Sequence, residues 1–127
     1  MKNNKKILIV EDEELLMEAA VAGLSEESKF TVLKATNGEE GLKVAFEEHP
    51  DLILLDIMMP VMGGIEMLEK LREDEWGKNV KVIFLTVLND LDKLQIAIKY
   101  DVNNYLMKQD WKIADIVEKI KKVLQMD

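Results

Sequence analysis

The sequence predicts an α/β fold, a doubly wound five-stranded parallel sheet covered by helices on both faces in three α/β/α layers. Two observations lead to this prediction. Short apolar runs alternate five times with amphipathic segments, an order that is typical of a mostly parallel sheet. Three of the runs, ILIV, LILL and VIFL, are apolar at every position, as expected of strands that helices cover on both faces.

Five segments are interpreted as strands because each is short, largely apolar and rich in residues that favour extended backbone. Turn residues or charged residues bound each of them. The connections between neighbouring parallel strands should be right-handed and helical. In chain order, the predicted strands are residues 6–10, 30–35, 51–56, 80–86 and 104–107.

The first two helices are predicted from apolar periodicity and from capping residues. The first spans residues 13–25. Its inward residues should be Leu15, Leu16, Ala19, Ala20, Gly23 and Leu24. Asn37 should cap the second helix, with Glu40 three residues later completing a capping-box pattern. This helix should end before His49-Pro50, because the residue before a proline disfavours helix. Its inward residues should be Leu42, Ala45 and Phe46.

The remaining helices follow the same logic. The third should end near Trp76-Gly77, and its inward residues should be Ile65, Leu68 and Leu71. The fourth spans residues 89–100, with inward residues Leu91, Leu94, Ala97 and Ile98. Asp110 should cap the fifth, and Trp111 at its start should pack over the fifth strand. The fifth helix has the clearest apolar stripe: Ile113, Ile116, Val117, Ile120, Val123 and Leu124.

Composition excludes several classes of protein. With 127 residues, of which 48% are hydrophobic and 33% charged, we expect one globular domain over residues 1–127 and no output domain in this chain. The lack of cysteine excludes disulfides and thiolate chemistry. No apolar run is long enough for a membrane span or a signal peptide, so we expect a cytoplasmic protein. The net charge of −8 disfavours nonspecific binding to nucleic acid or anionic membranes.

Polar side chains follow four of the five predicted strands. Glu11 and Asp12 come after the first strand, Asp56 ends the third, Thr86 ends the fourth and Lys108 follows the fifth. Ligands of a doubly wound sheet bind beyond the carboxyl ends of its strands. We therefore expect these five side chains to converge on one site.

These residue types in this order indicate phosphoryl chemistry. Carboxylates held close together repel unless a cation neutralises them or one takes up a proton, and a set of oxygen ligands near phosphate suits Mg²⁺. A carboxylate can also attack phosphorus to form an aspartyl phosphate, which a lysine and a hydroxyl would stabilise. Taken singly, each residue has an ordinary explanation, such as acids favoured at a helix N-terminus. Their joint order along the strands favours a site.

At these positions the sequence resembles the receiver domains of two-component response regulators, the CheY-like family. The resemblance runs through ILIVEDE, LILLDIMMP, VIFLT and NNYLMK. It implies the flavodoxin-like (βα)5 topology with strand order 2-1-3-4-5. It also implies a signalling switch rather than a turnover enzyme, one that transfers a phosphoryl group to its own aspartate and loses it slowly. The phosphodonor would be a sensor histidine kinase or a histidine phosphotransfer protein.

The resemblance further implies which residues bind the phosphoryl group and the metal. Asp56 matches the phosphoacceptor. Asp12 and Asp56 would bind Mg²⁺ directly, together with the backbone carbonyl of Met58, and Glu11 would act through water. Lys108 would contact the phosphoryl group.

The resemblance also implies a switch. Thr86 would bind the phosphoryl group, and Tyr105 would turn inward as Thr86 moves. The surface of the fourth helix, fifth strand and fifth helix would then change its affinity for an effector protein or a tethered output domain, or support a homodimer. No direct contact with nucleic acid or membrane is expected.

The sequence departs from the family pattern at four positions. The acid pair is Glu11-Asp12 rather than the usual Asp-Asp, a frequent and mild variant. The family usually has a cis Lys-Pro bond where this chain has Lys108-Gln109. Because a non-proline cis bond costs about 2.5–4 kcal/mol, we expect a trans bond here. Met58 replaces a polar residue that often influences dephosphorylation, so we expect a long-lived phosphoryl group. Val87 stands where a small alanine is common, which should restrict access to the acyl phosphate.

Two alternatives remain open. The chain could be a degenerate receiver that binds partners without phosphorylation, a reading that the missing proline supports and the complete set of polar residues opposes. It could also be a small phosphatase of the haloacid dehalogenase type with an aspartate nucleophile. Those enzymes carry D-x-D-x-[TV] after the first strand, whereas this chain has Asp56-Ile57-Met58 after the third, with no second acid to protonate a leaving group.

Overall fold

The apolar segments of the chain form one sheet of five parallel strands. The computed structural model describes residues 4–102, 104–110 and 112–126. The strand order is β2-β1-β3-β4-β5, as the family resemblance implied, and each strand lies within one residue of its predicted bounds. The strands are β1 (Lys5–Val10), β2 (Phe30–Ala35), β3 (Leu52–Asp56), β4 (Lys81–Thr86) and β5 (Asn104–Met107).

Helices connect the strands and cover both faces of the sheet. The α-helices are α1 (Glu14–Ser25), α2 (Gly38–Glu48), α3 (Gly64–Arg72), α4 (Leu94–Ile98) and α5 (Ile113–Val123). Three short 3₁₀ segments occupy Gly77–Asn79, Leu88–Lys93 and Lys108–Asp110. Within the described residues, no helix has both the length and the apolar character needed to cross a membrane.

The sheet separates two apolar cores, and alternate residues of each central strand face one or the other. On β1, Ile7 and Ile9 pack with the side chains of α1 and α5, whereas Leu8 and Val10 pack with those of α2, α3 and α4. All four are fully buried. Burial on both faces explains why the central strands are apolar between the lysines that open β1 and β4 and the polar residues at the carboxyl edge.

The inward face of α1 differs from the predicted stripe. Leu15 is 82% exposed and Ala19 is also exposed, whereas the buried residues are Met17, Ala20 and Leu24. The segment LLMEAAVAGL has apolar residues at nearly every position, so its periodicity permits more than one inward face. Packing against the sheet and α5 selects the face, and that packing was not readable from α1 alone.

The second helix has the predicted cap, and two of its three predicted inward residues, Leu42 and Ala45, pack in or against the core. Asn37 Oδ1 accepts a hydrogen bond from the Glu40 N–H at 2.9 Å, while Glu40 Oε1 accepts one from the Thr36 N–H at 2.6 Å. Phe46 is 41% exposed and lies outside the core. Its ring meets that of Trp76 edge to face, with centroids 6.4 Å apart, which keeps the side chain at the surface.

The third helix ends at Arg72, earlier than predicted, because polar groups beyond it form other hydrogen bonds. The Asp74 carboxylate accepts hydrogen bonds from the N–H groups of Trp76 and Gly77, each at 2.9 Å. This turn leads into the 3₁₀ segment Gly77–Asn79. A short acid that bonds to the following backbone competes with helix in this way.

The segment predicted as one helix over residues 89–100 is a 3₁₀ segment followed by the five-residue α4. Asn89, Asp90 and Asp92 fall in the 3₁₀ part, and these residue types are weak helix formers. Ala97 is buried as expected, but Ile98 is 60% exposed and was wrongly placed inward.

The last helix confirms the predicted stripe and corrects the predicted cap. All six stripe residues are in or against the core beneath α1 and α5. Lys112 occupies the N-cap position, because Asp110 belongs to the 3₁₀ segment that follows β5. Trp111 lies outside the described residues. No peptide bond among the described residues is cis, so the Lys108–Gln109 bond is trans as expected.

The loop after β3 depends on a close backbone approach at Gly64. A Cβ at Gly64 would overlap the carbonyl oxygen of Asp56, whereas one at Gly63 would have its nearest neighbour, the Ile57 oxygen, at 3.0 Å. We predict that Gly64→Ala lowers the free energy of unfolding by about 1–3 kcal/mol, the usual cost of forced overlap. Urea denaturation of Gly64→Ala and of the control Gly63→Ala measures this cost. Equal midpoints for the two variants would contradict the prediction.

Candidate functional site

The candidate site lies at the carboxyl edge of the sheet, where the strand register brings the ends of β1, β3 and β4 side by side. Val10 pairs with Leu55, and Asp56 pairs with Leu85. Glu11 follows β1, so its side chain enters the same edge as that of Asp56. The predicted convergence of residues on neighbouring strands therefore follows from the observed register.

Three polar side chains at this edge are buried. Two of them are carboxylates, which proteins rarely bury. Glu11 is 1% exposed, Asp56 is 4% exposed and Thr86 is 1% exposed, and these are the buried polar and charged residues of the described chain. Asp12, by contrast, is exposed. The site thus has a buried floor and an open side at Asp12.

The carboxylates of Glu11, Asp12 and Asp56 form one cluster. An oxygen from each lies within 4.8 Å of the others. At such distances like charges repel strongly in a region from which water is largely excluded. The cluster therefore requires positive charge nearby.

Lys108 supplies one positive charge to the cluster. Its Nζ lies 3.0 Å from Asp56 Oδ2, 3.2 Å from Glu11 Oε1 and 2.9 Å from Glu13 Oε1. Only 12% of its side chain is exposed. One ammonium group thus faces three carboxylates, with Asp12 close by.

Burial and the neighbouring charges shift two pKa values. Burial and, second, the charge of Glu11 raise the pKa of Asp56 to about 7, although Lys108 opposes the shift. Burial would lower the pKa of Lys108, but hydrogen bonds to Glu13 and Asp56 outweigh it and raise that pKa overall. The contribution of Glu11 to the first shift and the net rise of the second both reflect the excess of negative charge.

The residues present fit a divalent cation. Glu11 Oε1 is buried and accepts no hydrogen bond within the described structure, although it lies 3.2 Å from the Lys108 ammonium. Its other oxygen accepts one from the Glu13 N–H at 2.9 Å. A hard ion such as Mg²⁺ prefers carboxylate and carbonyl oxygens, which are the donors found here. The unsatisfied acceptor and the excess acid both favour such an ion.

The remaining predicted residues surround this cluster. The Thr86 hydroxyl donates a hydrogen bond to the carbonyl of Val87 at 3.2 Å. Tyr105 lies on β5, the neighbour of β4, and is 44% exposed. Met58 is 56% exposed in the loop after Asp56. Within the described structure, the side chains of Thr86, Tyr105 and Met58 form no hydrogen bond or ion pair with the acids. Their expected roles therefore depend on a bound phosphoryl group or ion.

Glu13 contacts the site and was missed by reasoning from the sequence. It follows the predicted acid pair directly, and the sequence pattern predicts it only as the first residue of a helix. Its ion pair with Lys108 joins residues 95 positions apart in the chain. The run of three acids, EDE, was the available signal, but nothing in the sequence says which of them reaches the lysine.

Comparison with known proteins identifies relatives along most of the chain. The family model described as response regulator receiver domain matches residues 7–121. The chain is 36% identical over 105 residues to the alkaline phosphatase synthesis transcriptional regulatory protein PhoP of Bacillus subtilis, a match covering 83% of this chain and 42% of that protein. It is 36% identical over 103 residues to the nitrate/nitrite response regulator protein NarL of Escherichia coli K12, covering 80% and 47%. The chain thus spans less than half the length of these two relatives.

Solved structures agree with this family assignment. A CheY-like response regulator receiver domain protein from Methanospirillum hungatei superposes with a TM-score of 0.86 at 31% identity, covering 96% of this chain and 94% of that one. A DNA-binding response regulator of the LuxR family from Staphylococcus aureus gives a TM-score of 0.84 at 30% identity, covering 94% and 98%. The similarity therefore extends over nearly the whole described fold.

The raised pKa of Asp56 makes a prediction for the protein kept free of metal with EDTA. The pKa of Asp56 is about 7 in the folded protein, against an ordinary value of 3.8. The stability contributed by the protonated form is therefore complete below about pH 4 and is lost as pH rises through about 7. Asp56→Asn keeps a neutral group there. At pH 8 it should raise the free energy of unfolding by roughly 2–4 kcal/mol.

Urea denaturation from pH 4 to pH 8 in EDTA measures this effect. The gain in stability should shrink towards zero at pH 4, where the wild-type acid is itself protonated. Added Mg²⁺ should stabilise the wild type more than the variant, because the variant has one carboxylate fewer in the cluster. A variant that is less stable than the wild type at pH 8 in EDTA would contradict the prediction.

Proposed function

Because the chain belongs to the response-regulator receiver family, we propose that it is a signalling switch in which Asp56 accepts a phosphoryl group from a histidine. Receiver domains are phosphorylation-controlled modules of two-component systems and are not turnover enzymes. The assignment of Asp56 depends on its environment. Asp56 is buried in a cluster of three carboxylates, of which it is one, and its Oδ2 lies 3.0 Å from the Lys108 ammonium. Acids that are buried beside charged partners in this way cluster at functional sites.

The proposed reaction is a transfer from nitrogen to oxygen. A carboxylate oxygen of Asp56 attacks the phosphorus of a phosphohistidine on a sensor kinase or a phosphotransfer protein. The P–O bond forms as the P–N bond breaks, and the imidazole leaves with the electron pair and takes up a proton. The product is an acyl phosphate on Asp56.

The site must keep Asp56 ionised and must neutralise the incoming charge. Mg²⁺ bound to Asp12, Asp56 and the backbone carbonyl of Met58, with Glu11 acting through water, would offset the negative charge of the carboxylates and of the phosphoryl oxygens. The 4.8 Å grouping of the three carboxylates supports this set. Lys108, whose Nζ lies 3.0 Å from Asp56 Oδ2, contributes a second positive charge.

Thr86 and Tyr105 would convert phosphorylation into a change of surface. The Thr86 hydroxyl has only a 3.2 Å hydrogen bond to the adjacent carbonyl and can donate to a phosphoryl oxygen instead. Its movement would leave space for the ring of Tyr105, which is now 44% exposed, to turn inward. The surface formed by α4, β5 and α5 would change with it and alter the affinity for an effector protein, a tethered output domain or a second copy of this chain.

The loose structure of the α4 region supports this output. The segment between Val87 and Lys99 consists of a 3₁₀ segment and five α-helical residues, and hydrogen bonding of the 3₁₀ kind is weaker than that of an α-helix. Such a segment can change its conformation at low cost. Thr86 ends β4 just before this segment, so movement of Thr86 would act on the segment directly.

Phosphorylation of the purified chain tests the proposed function. With Mg²⁺ and a small phosphodonor such as phosphoramidate, the intact mass of the wild type should increase by one phosphoryl group. Asp56→Asn should show no gain, because it lacks the nucleophilic carboxylate, and EDTA should suppress the gain in the wild type. A wild type that gains no mass would favour the degenerate receiver that binds partners without phosphorylation.

The lifetime of the phosphoryl group depends on residue 58 in this proposal. Met58 is 56% exposed beside the site and cannot orient an attacking water molecule, since its thioether is a poor hydrogen-bonding group. Met58→Asn should therefore speed the loss of the phosphoryl group severalfold. Val61→Asn, which changes another exposed apolar residue of the same loop, should leave the rate near that of the wild type.

The decay is followed by intact mass after the phosphodonor is removed. Equal decay rates for Met58→Asn and the wild type would contradict this role of Met58. Equal acceleration by Val61→Asn would mean that any polar residue in the loop acts in the same way.

A further inference from the structure

Glu13 holds Lys108 from the solvent side of the candidate site. Its Oε1 lies 2.9 Å from the Lys108 Nζ, which is the shortest of the three ion pairs of this lysine. The side chain of Glu13 is 62% exposed, whereas those of Glu11 and Asp56 are 1% and 5% exposed. Lys108 is therefore bound by two buried acids and one surface acid.

The backbone of Glu13 fixes it beside the acid pair. Its N–H donates a hydrogen bond to Glu11 Oε2 at 2.9 Å. Glu13 occupies the N-cap position of α1, but its side chain forms no capping hydrogen bond with that helix. The carboxylate is thus directed to Lys108, at the end of β5, rather than to the first turn of its own helix.

A phosphoryl group on Asp56 would compete for the hydrogen-bond donors of Lys108. An ammonium has three hydrogens to donate, and in this structure three carboxylates lie within reach of them. A phosphoryl oxygen needs one of these donors. Glu13 is the partner that can give it up at least cost, because water can solvate its exposed carboxylate as soon as the lysine leaves.

We propose that Glu13 is a positioning residue that gates Lys108 and thereby slows phosphorylation of Asp56. It holds the ammonium in the resting protein and releases it when an anionic phosphoryl group arrives. This inference rests on the proposed function and adds a resting-state restraint to it. The negative charge of Glu13 also opposes the charge that the phosphoryl group brings, so the resting contact and the phosphorylated state compete for the same lysine.

The variant that tests this gate is Glu13→Gln, which keeps the length of the side chain and removes its charge. With Mg²⁺ and phosphoramidate at low salt, it should gain the phosphoryl group about two- to fivefold faster than the wild type, the factor expected from a partly exposed ion pair. The matched control is Glu14→Gln, which removes a neighbouring exposed acid that forms no ion pair among the described residues. The control should react at close to the wild-type rate.

Phosphorylation rates at high salt distinguish the proposed gate from a change in the folded structure of Glu13→Gln. In about 1 M salt, which weakens ion pairs that have a solvent-exposed partner, the advantage of Glu13→Gln should largely disappear. A rearranged structure would keep its altered rate. Intact mass over time gives all of these rates.

A second measurement tests the resting contact without phosphorylation. In EDTA, the urea midpoints of the wild type, Glu13→Gln, Lys108→Met and the double variant form a double-mutant cycle. Glu13→Gln should lower the urea midpoint more when residue 108 is lysine than when it is methionine. Additive changes would overturn the ion pair on which the gate depends.

The outcomes for the gate and for the proposed function are distinct. A wild type that takes up no phosphoryl group overturns the proposed function and, with it, any gating of the transfer. A wild type that is phosphorylated while Glu13→Gln reacts at the same rate or more slowly overturns the gate alone. Equal acceleration by Glu14→Gln also overturns the gate, because it would indicate a general effect of charge on the anionic donor.

Discussion

The structure depends on one constraint at the carboxyl edge of its sheet: a single ammonium faces more carboxylates than it can neutralise. Lys108 contacts Glu11, Glu13 and Asp56, and Asp12 lies beside them. β4 separates β3 from β5 in the strand order, so the long stem of the lysine is needed to reach Asp56 from the end of β5. Burial first, and then the charge of Glu11, raise the pKa of Asp56, and one buried oxygen of Glu11 accepts no hydrogen bond among the described residues.

The rest of the fold keeps one end of the α4 region fixed and leaves the other end weakly held. The Arg72 guanidinium donates hydrogen bonds to the carbonyls of Tyr100, Gly77 and Val80 at 2.7, 2.7 and 2.9 Å. These bonds tie the end of α3 to the turn after α4 and to the start of β4. The other end begins at Thr86 and continues as a 3₁₀ segment.

Sequence reasoning predicted the strands and the buried acids because both depend on a simple pattern. An apolar run covered on two faces can end only where the chain leaves the core, so a charged residue such as Asp56 marks the end of its strand. The helices were harder. α1 offered several apolar faces, and its inward face was decided by contacts with other elements. Apolar spacing predicted one long helix in the α4 segment, whereas the short polar residues at its start disfavour helix. The contact of Glu13 with Lys108 joins distant parts of the chain and has no local signature.

Exposure ranks the interactions of the site by how readily each can be exchanged. Glu11 and Asp56 are nearly inaccessible, Lys108 is slightly exposed and Glu13 is mostly exposed. An ion pair with a buried acid is costly to break, since the acid is left without solvent, whereas a surface acid loses little. The buried pairs therefore define where Lys108 lies, and the surface pair is the one that can respond when charge is added to Asp56. The strand order that brings these residues together thus also separates the permanent contacts of the lysine from its exchangeable one.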